Sequence, residues 1–280
     1  MRLFLLSALT MAAFAANSLL NRAALASEMI DPMSFALVRV LAGAVVLGLL
    51  VREVPVPGRG PLGMAAALSL YLVGFSLAYT ALDAGIGALI LFGTVQVTML
   101  AGALISGERL SGRRWMGAGV ALSGLVALML PGVEAVPAAG PAGLMVLAGL
   151  GWGLYSLAGR GMARPLAATA GNFVLAVPMV ALLAMPYLGA ARISPEGLAL
   201  AVVSGAVTSG LGYALWYAIL PALGAARAGV AQLSVPVIAL AGGVAVLGER
   251  LSLEAAGASA LVLAGVALAS LKPRLKPRRG

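Results

Sequence analysis

A set of polar and aromatic side chains lies within long apolar stretches of the chain. A polar group in hydrocarbon is costly unless it meets a partner or a cavity, so these positions are candidates for a solute pathway. Amide, hydroxyl and ring groups together suit a zwitterionic or amphipathic solute, and they suit a compact multivalent anion poorly. We predict substrate contacts from Asn17, Ser18, Tyr79, Thr94, Gln96, Trp152, Tyr155, Tyr213, Trp216, Tyr217, Gln232 and Ser234.

These side chains also have structural interpretations. Asn17 and Asn21 are four residues apart on one helix face, where they could hydrogen-bond to a neighbouring helix. Trp216 and Tyr217 lie near the end of an apolar stretch and could belong to an aromatic belt at the membrane surface. Trp152 lies deeper in its stretch, so we favour it as a cavity residue.

Arg39 is the basic residue that lies clearly inside an apolar stretch, about two helical turns from its start. Three roles are open to it. It could bind a substrate carboxylate, extend to the outer interface, or pair with Asp31 or Glu28. We assign Arg39 a structural or gating role.

The residue types needed for catalysis are missing from the apolar stretches. The chain has no histidine and no cysteine, and its acidic residues lie at helix ends or in loops. Catalytic pairs and metal sites need such groups clustered together. We therefore predict no catalytic residue, no metal, no cofactor and no enzyme activity. Proton antiport through an intramembrane carboxylate is also disfavoured.

The composition indicates a membrane protein. Of the 280 residues, 62% are hydrophobic and 10% are charged, whereas soluble proteins have about 25% charged residues. Stretches of about 17–25 apolar residues can cross the hydrocarbon core. We predict an all-α integral membrane protein with ten transmembrane helices, near residues 3–24, 32–51, 61–81, 85–106, 112–131, 140–159, 168–189, 196–219, 225–247 and 254–271.

The sequence Gly-Glu-Arg-Leu-Ser occurs twice, at Gly107–Ser111 and at Gly248–Ser252. Phe14–Arg22 also aligns with Trp152–Arg160, which favours a retained first helix over a cleaved signal peptide. Five helices per half would insert the second half in the opposite sense. We therefore predict two inverted five-helix repeats, residues 1–135 and 136–280, with a site between them.

The basic residues are distributed unevenly between the predicted loops. With the N-terminus inside, 14 basic residues fall on the cytoplasmic side, and three, Arg22, Arg192 and Arg250, fall on the other side. This asymmetry predicts a multi-pass inner-membrane protein with both termini in the cytoplasm. The net charge of +9 is then explained by topology, and we predict no nucleic-acid partner.

Small residues recur every four positions in the predicted fifth and tenth helices. Gly117 and Ala121 form one such row, and Ala256, Ala260 and Ala264 form the other. This pattern is typical of close helix packing or of dimer contacts. We assign these residues to structure and leave monomer and homodimer open.

The doubled Gly-Glu-Arg-Leu-Ser turn and Pro236 in the sequence Ser-Val-Pro-Val resemble the EamA-type branch of the drug/metabolite transporter superfamily. Leu82–Gln96 is similar to the YddG-type amino acid exporters within that branch. The first half has Val95 where the second has Pro236, so a hinge at this point would be asymmetric. Structural or gating roles are predicted for Arg39, Pro236, Gly107, Glu108, Gly248 and Glu249.

These features together predict an inner-membrane exporter of small metabolites. Amino acids, including aromatic ones, are the expected substrates, carried by alternating access around a cavity at the membrane midplane without ion coupling. The alternative is efflux of drugs or other metabolites, with proton coupling as an option. The expected partners are the small-molecule substrate and the lipid bilayer.

Overall fold

The computed structural model describes residues 1–51, 59–107, 111–127, 138–159, 162–232 and 234–270. These residues are helical apart from short connections, which include an isolated bridge between Ile30 and Ile193. The α-helices are α1 (Arg2–Ala26), α2 (Pro32–Val51), α3 (Arg59–Ala78), α4 (Ala84–Ile105), α5 (Gly112–Ala127), α6 (Ala139–Ala158), α7 (Pro165–Ala184), α8 (Pro195–Val203), α9 (Gly212–Gln232), α10 (Ser234–Leu247) and α11 (Leu253–Ser270). A 3-10 helix, Met185–Ala190, follows α7.

The helices have the length and composition of membrane spans. In the part of the chain that the structure describes, seven are long and apolar enough to cross a membrane, and α10 and α11 are shorter apolar helices. Large aliphatic side chains such as Leu49, Leu182 and Val246 are exposed on the outer surface, as expected of a lipid-facing protein. The prediction of an all-helical, membrane-type architecture is confirmed, whereas ten spans and inverted repeats stay predictions.

The region predicted as the eighth helix differs from expectation. After α8 the chain forms a π-helical segment, Ser204–Leu211, and then enters α9 without leaving the helix. α9 continues to Gln232 through the loop predicted at 220–224. Alanine has the highest helix propensity of all residues, and Ala222, Ala225 and Ala226 therefore favour helix after Pro221.

The repeat positions Val95 and Pro236 have different surroundings. α4 is continuous through Val95. Pro236 lies in α10, whose described residues start at Ser234, directly after a residue that the structure does not describe. Proline has no backbone N–H, so Pro236 cannot donate the helical hydrogen bond that Val95 can donate.

The helices of the two halves pack against each other in a pattern of exchanged partners. α1 packs on the π-helical segment, α8, α9 and α10 of the second half. α6, the first helix of the second half, packs on α3 and α4 of the first half. Helices α2 and α7, α4 and α10, and α5 and α11 pair with one another. Two related halves would produce such a pattern, because a contact between two helices then recurs between the counterparts of those helices.

The repeated turns begin with glycines of the same backbone conformation. Gly107 has φ 77° and Gly248 has φ 69°. This left-handed region strongly favours glycine, since a Cβ atom would clash there. Glu108, the next residue of the first turn, lies outside the described residues.

The contact between α5 and α11 depends on small residues. A Cβ atom on Gly265 would lie 2.7 Å from both the Ala121 Cα and the Gly117 carbonyl oxygen. A Cβ atom on Gly124 would lie 2.7 Å from the Val262 backbone nitrogen. The small residues of these two helices therefore pack against each other within one chain.

We expect Gly265→Ala to destabilise the protein. The added methyl group meets backbone atoms of α5 that cannot move independently, and such overpacking costs about 1–3 kcal/mol. A thermal unfolding scan of the purified protein should show a lower melting temperature.

Gly257→Ala is the matched control, because a Cβ atom at Gly257 on the same helix meets nothing within 4 Å. The gain in helix propensity predicts an unchanged or slightly higher melting temperature for this variant. Equal melting temperatures for both variants would contradict the close α5–α11 contact.

Candidate functional site

A cavity lies where helices of both halves meet, and the space free of atoms between its walls, including its open side, is about 450 Å³. Its walls combine aromatic rings, hydroxyl and amide groups, and a guanidinium group. The lining residues are Phe14, Asn17, Ser18, Arg39, Tyr71, Phe75, Leu91, Phe92, Trp152, Thr208, Ser209, Tyr213 and Gln232.

Glycines on α6 bring Trp152 to the cavity. A Cβ atom on Gly149 would lie 2.6 Å from the Thr94 Cβ, and one on Gly151 would lie 2.6 Å from the Ala67 carbonyl oxygen. α6 can therefore lie directly on both α4 and α3. This close approach carries Trp152, the residue next to Gly151, to the middle of the bundle.

Aromatic rings form a continuous wall on one side of the cavity. Trp152 stacks on Tyr155 with ring centroids 5.5 Å apart and on Tyr213 with centroids 5.3 Å apart. The angles between the ring planes are 21° and 15°. Phe14 of α1 continues the wall, since its centroid lies 5.8 Å from that of Tyr213. The wall is suited to an apolar or aromatic group.

The π-helical segment is joined to α1 by buried hydrogen bonds. The Oδ1 atom of Asn17 accepts from the Ser204 hydroxyl at 2.7 Å and from the Thr208 hydroxyl at 3.1 Å. The Nδ2 atom of Asn21 donates to the Asn17 carbonyl oxygen at 2.8 Å. Asn17 therefore has a bracing role in addition to its place on the cavity wall. π-helical turns are frequently found at functional sites.

Arg39 is buried in the cavity wall, with 1% of its surface exposed. Its Nη2 atom donates to the Tyr71 hydroxyl at 2.7 Å, and its Nε atom donates to the Ser209 hydroxyl at 3.2 Å. Its guanidinium carbon lies 5.1 Å from the ring centroid of Tyr71 and 5.0 Å from that of Phe75. The Nη1 atom is buried and has no hydrogen-bond partner.

The structure excludes two of the alternatives for Arg39. Glu28 forms an ion pair with Arg192 at 3.2 Å. Asp31 accepts from the Arg192 backbone N–H at 3.1 Å, and its other oxygen accepts from the first N–H groups of α2. Pairing of Arg39 with Asp31 or Glu28 is therefore wrong, and its burial excludes an interfacial position. The structural role assigned to Arg39 and the binding of a substrate carboxylate both stay predictions.

A second polar cluster joins the halves at the end of the bundle where α1 ends and α4 begins. Arg22 lies 3.1 Å from an Asp83 oxygen and 3.4 Å from a Glu249 oxygen. The Ala84 backbone N–H donates to Glu249 at 2.8 Å, so the repeated-turn carboxylate caps α4 of the other half. Burial raises the pKa of Glu249 above its usual range, although Arg22 and the Ala84 N–H act in the opposite direction. We call these residues the Arg22 cluster.

The predicted substrate contacts divide into two groups. Asn17, Ser18, Trp152, Tyr213 and Gln232 line the cavity. The others lie outside its lining, and a role for them in substrate binding stays a prediction: Tyr79, Thr94, Gln96, Tyr155, Trp216, Tyr217 and Ser234.

Several residues of the second group have structural partners. The Tyr79 hydroxyl donates to the Ala84 carbonyl oxygen at 3.1 Å. Thr169 accepts from the Tyr155 hydroxyl at 3.0 Å and donates to the Tyr217 hydroxyl at 3.3 Å. Tyr155 therefore supports Trp152 from behind, through the ring stack described above.

Tyr71 and Phe75 were missed as cavity residues. The repeat offers a signal for them, because the register that aligns Tyr79 with Tyr217 also aligns Tyr71 with Ser209 and Phe75 with Tyr213. All four of these counterparts line the cavity. Extending the repeat alignment backwards along the third apolar stretch would have found them.

We expect Tyr71→Phe to destabilise the protein. It removes the hydroxyl that accepts from Arg39 and leaves a second buried guanidinium nitrogen without a partner. Such a loss costs about 1–3 kcal/mol. A lower melting temperature of the purified variant would be the expected result.

Tyr187→Phe removes the same hydroxyl from a side chain that is 55% exposed, and we expect it to melt like the wild type. A Tyr71→Phe variant as stable as this control would contradict the described arrangement around Arg39.

Comparison with known proteins gives a family match, a sequence relative and a similar structure. Residues 141–271 match the EamA-like transporter family. An uncharacterised Pseudomonas aeruginosa protein is 50% identical over 277 residues, which cover 98% of this chain and 96% of that protein. A solved crystal structure is 22% identical, covers 94% of this chain and 97% of its own, and superimposes with a TM-score of 0.65. The similarity to that structure supports the fold alone.

Proposed function

Because the chain belongs to the EamA-like transporter family, we propose that it exports small metabolites, amino acids foremost, across the bacterial inner membrane. The protein is a multi-pass membrane protein of a transporter family, and the proposal adds the substrate class and the direction. The main support is the cavity between the two halves, which combines an aromatic wall with polar groups.

The lining suits amino acids with large apolar side chains. The stacked rings of Trp152 and Tyr213 offer a surface for an aromatic or branched side chain. Ser18, Gln232 and Arg39 supply donors and acceptors for the polar end of the solute. The similarity of Leu82–Gln96 to the YddG-type exporters supports the same substrate class.

Alternating access is the proposed mechanism. Two inverted repeats around one cavity can expose it to each side in turn when they exchange conformations. The exchanged packing partners of α1 and α6 support such a duplication. With both termini in the cytoplasm, the Arg22 cluster lies on the outer side and holds that end of the cavity closed through contacts between the halves.

Transport is proposed to be uncoupled. A proton-coupled carrier needs a group that titrates within the pathway, and carboxylates or histidines usually serve. The residues that line the cavity include no such group. Solute would then move down its own gradient.

We expect purified protein in liposomes to exchange labelled phenylalanine or leucine in a counterflow assay. An imposed pH gradient should leave the flux unchanged. Flux equal to that of empty liposomes for every amino acid would contradict the proposed function, and flux that follows the pH gradient would favour proton-coupled efflux.

Trp152→Ala should lower the flux by about tenfold or more, because it removes the central ring of the wall while leaving the outer surface intact. Trp115→Ala is the matched control, since this side chain is 54% exposed on α5. Gel filtration should show that both variants are folded. Equal flux from both would contradict the role of the aromatic wall.

The Arg22 cluster gives a test of the closed outer end. The natural chain has no cysteine, so Ser18→Cys would place a single thiol on the cavity wall. We expect a charged thiol reagent that does not cross lipid to label it slowly from outside. Adding Arg22→Gln should accelerate labelling, whereas adding Arg192→Gln at an exposed ion pair should not. Equal rates in all three proteins would contradict the closed outer end.

A further inference from the structure

Arg39 lines the cavity and has one unused hydrogen-bond donor. Its Nε and Nη2 atoms donate to neutral hydroxyls, while its Nη1 atom is buried and has no partner among the described residues. We propose that Arg39 Nη1 binds the carboxylate of the transported solute, and that the site has no binding group for the solute's amine. The proposal rests on the transport function proposed above and goes beyond it by naming the chemical group that is recognised.

The charge of the cavity supports a carboxylate. Among the described residues that line the cavity, Arg39 alone carries a charge, and an arginine guanidinium stays protonated in proteins. The acidic groups Asp83 and Glu249 are engaged by Arg22, and Glu28 is paired with Arg192. A buried cation without a counter-charge is unfavourable, and an anionic solute would supply that charge.

A guanidinium group and a carboxylate form a strong interaction. Charge-assisted hydrogen bonds between guanidinium and carboxylate groups are short, at about 2.7–2.9 Å, and roughly twice as strong as neutral ones. Tyr71 and Ser209 fix the orientation of Arg39 by binding its other two nitrogens. The guanidinium is therefore preorganised, and little side-chain entropy is lost when the carboxylate binds.

An ammonium group finds no comparable partner. The lining residues include no carboxylate. The two ring faces beside Arg39 already contact its guanidinium. The Trp152 ring already stacks on Tyr155 and on Tyr213. The solute should therefore need a carboxylate and an apolar body, and its amine should be dispensable.

Calorimetry of the full-length protein in nanodiscs tests this selectivity directly. The probes are phenylalanine, phenylalaninamide and 3-phenylpropionate, with leucine, leucinamide and 4-methylpentanoate as an aliphatic series. We expect the amine-free carboxylates to bind at least as tightly as the amino acids, and the amides to bind about tenfold more weakly or worse. Amides that bind within twofold of the amino acids, or no binding in either series, would overturn the proposal.

Variants assign the selectivity to Arg39. Arg39→Gln should abolish the preference for carboxylates, and Arg39→Lys should keep part of it because the charge remains. Arg192→Gln removes an arginine whose side chain is 73% exposed and should leave all affinities unchanged. A carboxylate preference that persists in Arg39→Gln would contradict the assignment. The wild-type ligand series decides the question of selectivity if Arg39→Gln does not fold.

The proposed function and this inference can fail separately. If amino acids are transported but their amides compete equally, the carboxylate site is wrong and export stands. If no amino acid is transported but 3-phenylpropionate binding requires Arg39, the site stands and amino acid export is wrong.

Discussion

A guanidinium group buried in the middle of an apolar helix bundle sets the main constraint on this structure. Removing a charge from water is costly unless hydrogen bonds and an opposite charge compensate. In the part of the chain that the structure describes, two hydroxyl acceptors and two ring faces contact Arg39, and no carboxylate does. An anionic solute would supply the missing negative charge. The buried charge of Arg39 therefore connects the architecture of the bundle with its proposed transport activity.

The π-helical segment and the glycines of α6 bring side chains to the cavity that Arg39 lines. The π-helical segment presents Ser209 to Arg39 and Thr208 to Asn17. A Cβ atom on Gly205 of that segment would lie 2.8 Å from the Ala42 Cβ, so glycine is needed for its close contact with α2. On the opposite side, the glycines of α6 allow the close helix contacts that place Trp152 in the cavity wall. These glycines thus allow the close helix packing that positions the large side chains of the cavity wall.

The sequence predicted the helical membrane architecture because long apolar stretches have few alternatives in a bilayer. The family and part of the cavity were also predicted, including Trp152, Asn17 and Tyr213. The π-helical segment was not, because its apolar pattern is the same as that of an ordinary helix. The surroundings of Arg39 were not predicted either, since Tyr71 and Ser209 reach it from distant parts of the chain. Residues four apart can be paired by spacing, but contacts between helices depend on how the helices pack.

The proposed binding of a carboxylate by Arg39 inside the membrane can be tested by an experimental structure of the protein in a nanodisc with bound phenylalanine. We expect the carboxylate at hydrogen-bond distance from Arg39 Nη1, with the phenyl ring against Trp152 and Tyr213. A ligand whose carboxylate lies away from Arg39, or an acidic side chain of the protein at Nη1, would contradict it.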